Sequence, residues 1–240
     1  MFHVKHSMDV QHICRKNGLE LSGGQWELMD RYVALLLEWN RKVNLISRKD
    51  EENVWTAHIL HSLSPLFRVR LPATLKVLDL GSGGGLPGIP LAIANEGWSV
   101  VLMDSIQKKC AAMEDMVDRL GLSGRIRVVC GRAEEKGEGE KLRGTMDVVL
   151  ARGVASMSLL VKWGKPYLKR SNHSGGVAES RGKYVVTPPV LAAYKGGDLD
   201  MELREMKVKA RAEAAAMVSL AFAGSDEAGL LEKKLVIVVS

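Results

Sequence analysis

The chain has 240 residues, 46% of them hydrophobic and 26% charged, with a formal net charge of +6. This ordinary globular composition leaves room for one α/β domain plus an extension, and it excludes a chain too small to bury a core. No apolar run approaches the roughly 18–20 residues that span a bilayer, and the three scattered cysteines give neither a disulfide framework nor a metal site.

The opening Met1-Phe2-His3-Val4-Lys5-His6 lacks a basic-then-apolar signal pattern, so a cytoplasmic protein is expected. Residues 10–17 read as a short amphipathic helical stretch stopped by Gly18. From residue 25 to about 43, apolar side chains recur at helical spacing, with Ser22 placed to cap the helix. Asp50 can cap a further helix that Pro65 ends. Residues 1–74 therefore form an N-terminal helical extension.

At Leu75 the rhythm changes. Short apolar runs at 77–80, 100–103, 126–130 and 148–150 alternate with helical segments at 89–95, 108–120 and 157–167. That alternation predicts βαβ units and a parallel sheet covered on both faces, in an α/β domain over 75–240. Residues 171–176 and 181–183 look like surface loop, 190–194 like a strand, and 198–214 like a charged helix. Two late apolar runs, 217–222 and 235–239, are strand candidates whose connection suits an antiparallel pair at the sheet edge.

The sharpest feature is Val77-Leu78-Asp79-Leu80-Gly81-Ser82-Gly83-Gly84-Gly85-Leu86-Pro87-Gly88, a strand running into a glycine turn and then a helix. Gly83-x-Gly85-x-x-Gly88, with Asp104 about twenty residues on, formally matches a dinucleotide fingerprint. Asp79, however, stands two residues before the first glycine, where a pyrophosphate has no use for a carboxylate. Asp-x-Gly-x-Gly-x-Gly after an apolar strand resembles motif I of class I methyltransferases, and S-adenosylmethionine is preferred over NAD. Asp104, ending the next strand, suits ribose hydroxyls or a simple helix cap. Arg132-Ala133-Glu134 follows the third strand, where methyltransferases clamp adenine, although its acids also suit a solvated loop. Ala151-Arg152-Gly153 follows the fourth strand, beside the crevice of an open sheet.

Together these residues resemble the ribosomal RNA small-subunit methyltransferase G family, also called glucose-inhibited division protein B. The likeness also lies in Leu37-Glu38-Trp39-Asn40-Arg41-Lys42-Val43-Asn44-Leu45-Ile46-Ser47 and in His58-Ile59-Leu60-His61-Ser62-Leu63. It continues through Leu102-Met103-Asp104-Ser105, Tyr194-Lys195-Gly196-Gly197 and Lys233-Lys234-Leu235-Val236-Ile237, and so covers nearly the whole chain. The Leu-Pro-Gly-Ile-Pro continuation of the glycine loop is its most specific element.

The resemblance implies a Rossmann-like class I methyltransferase, with a mostly parallel seven-stranded sheet and helices on both faces. It implies transfer of a methyl group from S-adenosyl-L-methionine to guanine N7 in 16S ribosomal RNA near the decoding site. Cofactor contacts are expected at Asp79, Gly81, Gly83, Leu86, Asp104, Ala133, Glu134 and Arg152, with Arg152 also the catalytic candidate. Two departures stand out: His61 occupies a position where many relatives carry an acid, and residues 171–189 are longer and more polar than expected.

Guanine N7 carries a lone pair and no proton, so in-line attack needs no general base, only positioning and electrostatics. Cytosine C5 chemistry would want a Pro-Cys pair, but the cysteines follow Ile13, Lys109 and Val129. Thr187-Pro188-Pro189-Val190 imitates an amine-methylation motif without its amide or ring, and reads as a stiff loop entering a strand. Arg41, Lys42, Arg48 and Lys49 suit phosphates or a solvated basic surface equally. Trp39 and Trp55 could stack a base but fit a core better. Asn40, Asn44, His58 and Lys195 are the expected contacts to the 16S RNA or small subunit, with buried polar ties as their competing reading. A monomer is expected.

Overall fold

The computed structural model describes residues 2–135, 137–170, 175–226 and 228–239, with side chains from residue 7 onward. Helix α1 (Phe2–Lys16) starts earlier than its amphipathic pattern suggests and ends before Gly18, as expected. Helix α2 (Gly23–Asn40) opens on the expected Ser22 cap. The Ser22 hydroxyl accepts the Gln25 N–H at 3.2 Å, and Gln25 Oε1 accepts the Ser22 N–H at 2.8 Å, a complete capping box.

The next segment corrects two expectations. Asp50 closes a tight turn, Arg48–Asp50, and no side chain caps the wide π-type helical turn Trp55–Leu60 that comes after it. That turn runs into α3 (His61–Leu63) and α4 (Pro65–Arg68), so Pro65 begins a helix instead of ending one. Proline lacks an N–H, which costs nothing in a first turn where that group has no partner anyway.

The α/β order then unfolds largely as expected: β1 (Val69–Arg70), β2 (Leu75–Leu80), α5 (Gly88–Ala94), β3 (Trp98–Asp104), α6 (Gln107–Arg119), β4 (Ile126–Cys130), β5 (Val148–Arg152) and α7 (Met157–Gly164). After them come β6 (Gly176–Ser180), β7 (Lys183–Thr187), β8 (Val190–Gly196), α8 (Asp200–Ala210), β9 (Ala216–Ser219) and β10 (Lys233–Val239). Helix α8 stops short of residue 214 because Arg211 turns left-handed at φ +49°.

The main sheet has seven strands in the order β4-β3-β2-β5-β8-β10-β9. The first five run parallel, and β10 is antiparallel to both β8 and β9, which bears out the late hairpin. Period-two alternation sends successive side chains to opposite faces. On β5, Val148 and Leu150 join Trp26, Leu36, Leu86 and Ile89 beneath the N-terminal helices. Val149 and Ala151 join Leu160, Val161 and Met206 beneath α7 and α8.

A second, three-stranded sheet, β1-β7-β6, was not expected: it draws Val69 and Arg70 from the extension read as helical, and its turn falls in the 181–183 stretch read as loop. Residues 171–174 lie outside the described residues. The Arg181–Gly182 turn, with both φ values positive (51° and 73°), closes the β6–β7 hairpin. Such primed turns match strand twist. Its arginine, in place of the usual Asn or Gly, conceals the signal, as do two strands that are only partly buried and lack alternation.

Candidate active site

The glycine loop sits where β2 gives way to α5, at the carboxyl end of the parallel strands. Gly81 adopts φ +67°, and a Cβ there would stand 2.6 Å from Val154 Cγ2. Its N–H and that of Ser82 both donate to the Met103 carbonyl, at 2.8 and 3.0 Å. The buried Ser82 hydroxyl donates to the Asp79 carbonyl at 2.7 Å and accepts the Met103 N–H at 3.0 Å. A serine between glycines reads from sequence as a spacer; here it stitches β2 to β3. The extension braces the far side of the loop. Tyr32, fully buried in α2, donates to the Gly84 carbonyl at 2.9 Å.

Two carboxylates hold this turn. Asp79 is fully buried, and its Oδ2 accepts the Gly88 N–H at 2.9 Å at the start of α5. A Cβ on Gly88 would fall 2.8 Å from that oxygen and 2.4 Å from Leu102, so only glycine lets the pair meet. Asp79 Oδ1 is buried without a partner. Burial pushes the carboxyl up to about 7, against the pull of the Gly88 N–H, Arg152 and Ser82. Asp104 accepts the Gly83 N–H at 3.0 Å on one oxygen and the Ile106 N–H at 2.9 Å on the other. It therefore acts both as the local cap and as the tie to the loop. A carboxylate has about four lone-pair sites, which leaves capacity for hydroxyl donors.

A cavity of about 320 Å³ opens against this edge. Gly81, Asp104, Ala133 and Glu134 line it together, as the sequence grouped them, and so do Lys109 and Trp163, which it did not, whereas Asp79, Gly83, Leu86 and Arg152 do not line it. The Tyr167 hydroxyl donates to the Ala133 carbonyl at 3.0 Å and fixes the floor.

Arg152 lies on the other side of β5. Strand alternation turns its side chain toward the extension while Gly153 and Val154 face the cavity. One guanidinium nitrogen lies 3.4 Å from both the His58 carbonyl and the Ser62 hydroxyl, and another lies 3.2 Å from His58 Nδ1. Among the described residues no carboxylate pairs with it within 4.0 Å. Burial lowers its pKa. The same burial, with Arg152 adding to it, pushes His58 down to about 4 and His61 down to about 3, so both imidazoles are neutral at pH 7. His61 meets the Tyr194 ring edge-on at 5.5 Å, and Tyr194 in turn donates to the Ser62 carbonyl at 2.8 Å.

The expected RNA residues divide. Asn44 is exposed and, with Arg41, Lys42, Arg48 and Lys109, lines an open hollow of about 820 Å³ beside the glycine loop. Asn40 turns inward: its Oδ1 accepts the Leu45 and Ile46 N–H groups at 2.8 and 2.9 Å, and its amide donates to Glu51 at 2.6 Å. Lys195 is likewise engaged, donating to the Ala155 carbonyl at 2.7 Å and to Glu202 at 2.5 Å beneath the turn that follows Arg152. Leu86 and Trp55 are buried in the core, and Trp39 donates to Asp115 at 2.7 Å. Lys109, shared by the cavity and the hollow, carried no sequence signal. It acquires its place only when the 41–48 loop folds over α6.

An acid-led glycine cradle at the carboxyl edge, in a sheet whose last strand pair inserts β10 antiparallel, defines a class I methyltransferase domain. Solved structures agree on the fold. A predicted O-methyltransferase from Agrobacterium tumefaciens matches with a TM-score of 0.53 at 14% identity, covering 75% of this chain and 79% of that one. The cyclase SpnF matches with a TM-score of 0.55 at 15% identity over 88% and 93%. The family model described as rRNA small subunit methyltransferase G matches residues 25–228. Relatives named ribosomal RNA small subunit methyltransferase G include one from Chlorobium limicola, 37% identical over 84% of this chain and 81% of its own length. Another, from Streptococcus equi subsp. zooepidemicus, is 35% identical over 79% and 73%. The chain belongs to the rRNA small subunit methyltransferase G family, whose members use S-adenosylmethionine.

Proposed function

We propose that this protein transfers the methyl group of S-adenosylmethionine to N7 of a guanine in 16S ribosomal RNA near the decoding site. In this reading it acts as a cytoplasmic monomer on the RNA or the small subunit. Among the described residues no helix is long and apolar enough to cross a membrane. The observation that carries the reading is the pairing of a Cβ-free cradle with a buried Asp79 oxygen, Oδ1, that has no partner, and with Arg152, whose guanidinium meets only His58 and Ser62.

Those features fit the cofactor's groups. Gly81 and Gly83 would admit the methionine portion, the free Asp79 oxygen suits its ammonium, and Arg152 suits its carboxylate. Asp104 would accept from ribose hydroxyls, with Leu86 buried behind the loop. Ala133 and Glu134 would border adenine. When bound, the cofactor supplies an electrophilic sulfonium methyl group.

Residues of the chain then need only hold the guanine lone pair in line, since N7 has no proton to remove. Neutral His58 and His61 add no positive charge beside Arg152, whose guanidinium acts electrostatically on Asp79 behind the glycine loop. Asn44 and the neighbouring cations would meet phosphates, while Asn40, His58 and Lys195 shape the loops that present them. The division into extension 1–74 and domain 75–240 is kept as a functional one: the extension braces the cradle that the domain builds.

The test incubates the protein and labelled S-adenosylmethionine with small subunits that lack the modification, then cleaves the RNA with borohydride and aniline at 7-methylguanosine. A single new cleavage in the decoding-region loop is expected. Label without that cleavage would overturn the choice of atom, and cofactor binding without label would overturn catalysis.

A further inference from the structure

On the sheet face away from the N-terminal helices, an open groove of about 1160 Å³ runs between the ends of α7 and α8. Arg143, Lys162, Lys165, Arg170 and Lys209 line it, and no carboxylate does among the described residues. All five are exposed. Of the five, only Lys209 has an ion-pair partner among the described residues, Glu205 at 3.0 Å.

Helix ends attract cations, because unpaired carbonyls gather there. That accounts for Lys162 and Lys209, in the last turns of α7 and α8. It does not account for Arg143, which arrives from the turn before β5, or for Arg170, which arrives from beyond Tyr167. Convergence of separate chain segments on one concave surface concentrates like charge that folding alone would disperse. A polyanion relieves that repulsion and gains the entropy of released counterions.

The groove lies across α7 from the candidate site. Trp163 lines the cofactor cavity while its neighbour Lys162 lines the groove, so α7 forms the wall between the two. We propose that this groove is a second RNA-binding surface, which grips phosphates of the substrate RNA at a distance from the methylated guanine. The proposal rests on the rRNA reading above and deepens it.

The test compares the wild-type protein with the triple variant Lys162→Glu/Lys165→Glu/Arg170→Glu. A control variant, Arg15→Glu/Lys16→Glu/Arg70→Glu, carries the same charge change elsewhere. Affinity for a labelled decoding-region RNA fragment is measured across a salt series, along with S-adenosylmethionine affinity and aniline cleavage at saturating RNA.

The expected result is RNA binding weakened about tenfold or more, with the slope of log affinity against log salt reduced by about 2–3 for three lost phosphate contacts. Cofactor affinity, and the methylation rate at saturating RNA, stay at wild-type values. Unchanged RNA affinity and slope, or an equal loss in the control, would overturn the groove. Unchanged binding to the RNA with weakened binding to intact subunits would assign the groove to a ribosomal protein, which also overturns it. Absence of cleavage by the wild-type protein would instead count against the rRNA reading itself, while the binding comparison still decides the groove.

Discussion

Replacing Arg152 with methionine should leave the free protein as stable as before, or more so, while removing its activity. The side chain is half-buried, its three protein contacts are long at 3.2–3.4 Å, and no carboxylate among the described residues pairs with it. Contacts of that length return less than the 1.5–3 kcal/mol of a good charged hydrogen bond, whereas desolvating the ion costs several kcal/mol, roughly. Methionine keeps the length and flexibility that packing requires. Of the groups it leaves behind, the Ser62 hydroxyl and the His58 carbonyl keep each other at 2.7 Å, and only His58 Nδ1 loses its partner. The net change should lie between about 0 and +2 kcal/mol. For a domain of this size that raises the melting temperature by up to about 4–8 °C. Calorimetry of the cofactor-free protein, paired with methyl transfer at saturating S-adenosylmethionine, separates the two effects. A melting temperature lower by more than about 5 °C would mean that the guanidinium holds the cage together. Full activity would refute its role in the reaction.

Other outcomes follow from the same geometry. Gly81→Ala must place a methyl at φ +67° and 2.6 Å from Val154, so it should cost about 1–2 kcal/mol of stability and weaken cofactor affinity at least tenfold by titration calorimetry. Asn40→Ala orphans the Leu45 and Ile46 N–H groups, and urea unfolding should show a loss of about 2–4 kcal/mol, where an unchanged midpoint would argue for a purely RNA-facing side chain. Asp79 titrates near 7 in the fold against 3.8 as a free group, so the native state holds the extra proton; its contribution is full below 3.8 and is lost as pH rises through 7. Asp79→Asn should remove that decline from the pH profile of thermal stability. His61 runs the other way: its folded value near 3 lies below 6.5, so its contribution falls as pH drops from 6.5 toward 3, and His61→Gln should flatten the acid limb.

How much of this was legible in sequence depends on the range of the interaction. Strands in the middle of the sheet carry short apolar runs, so β2 to β5 are legible to within two residues at each end. The glycine turn was legible too, because close backbone approach demands one residue type. The β6–β7 hairpin was not, because its turn uses Arg181 and its strands carry little burial. Pro65 misled because a proline that stops one helix and a proline that opens another look alike until the path of the chain is known. Asn40 and Lys195 were found as important positions, but their orientation was not, since a polar side chain that ties two loops has the same spelling as one that meets RNA.

The least legible feature is the division of labour at the end of β5. Arg152 ends β5 with its side chain toward the extension, while Gly153 and Val154, in the turn just past the strand, line the cavity, so one strand end offers a charge to the extension side and a wall to the cavity side. The charge stays desolvated only because α3, the preceding π-type turn and Tyr194 enclose it. The cradle keeps its shape only because Tyr32 and Leu36 press on Gly84. The N-terminal helices therefore belong to the site as much as the glycine loop does. Truncating them should abolish cofactor affinity even where the sheet survives, because the loop would lose its brace and Arg152 its dry surroundings.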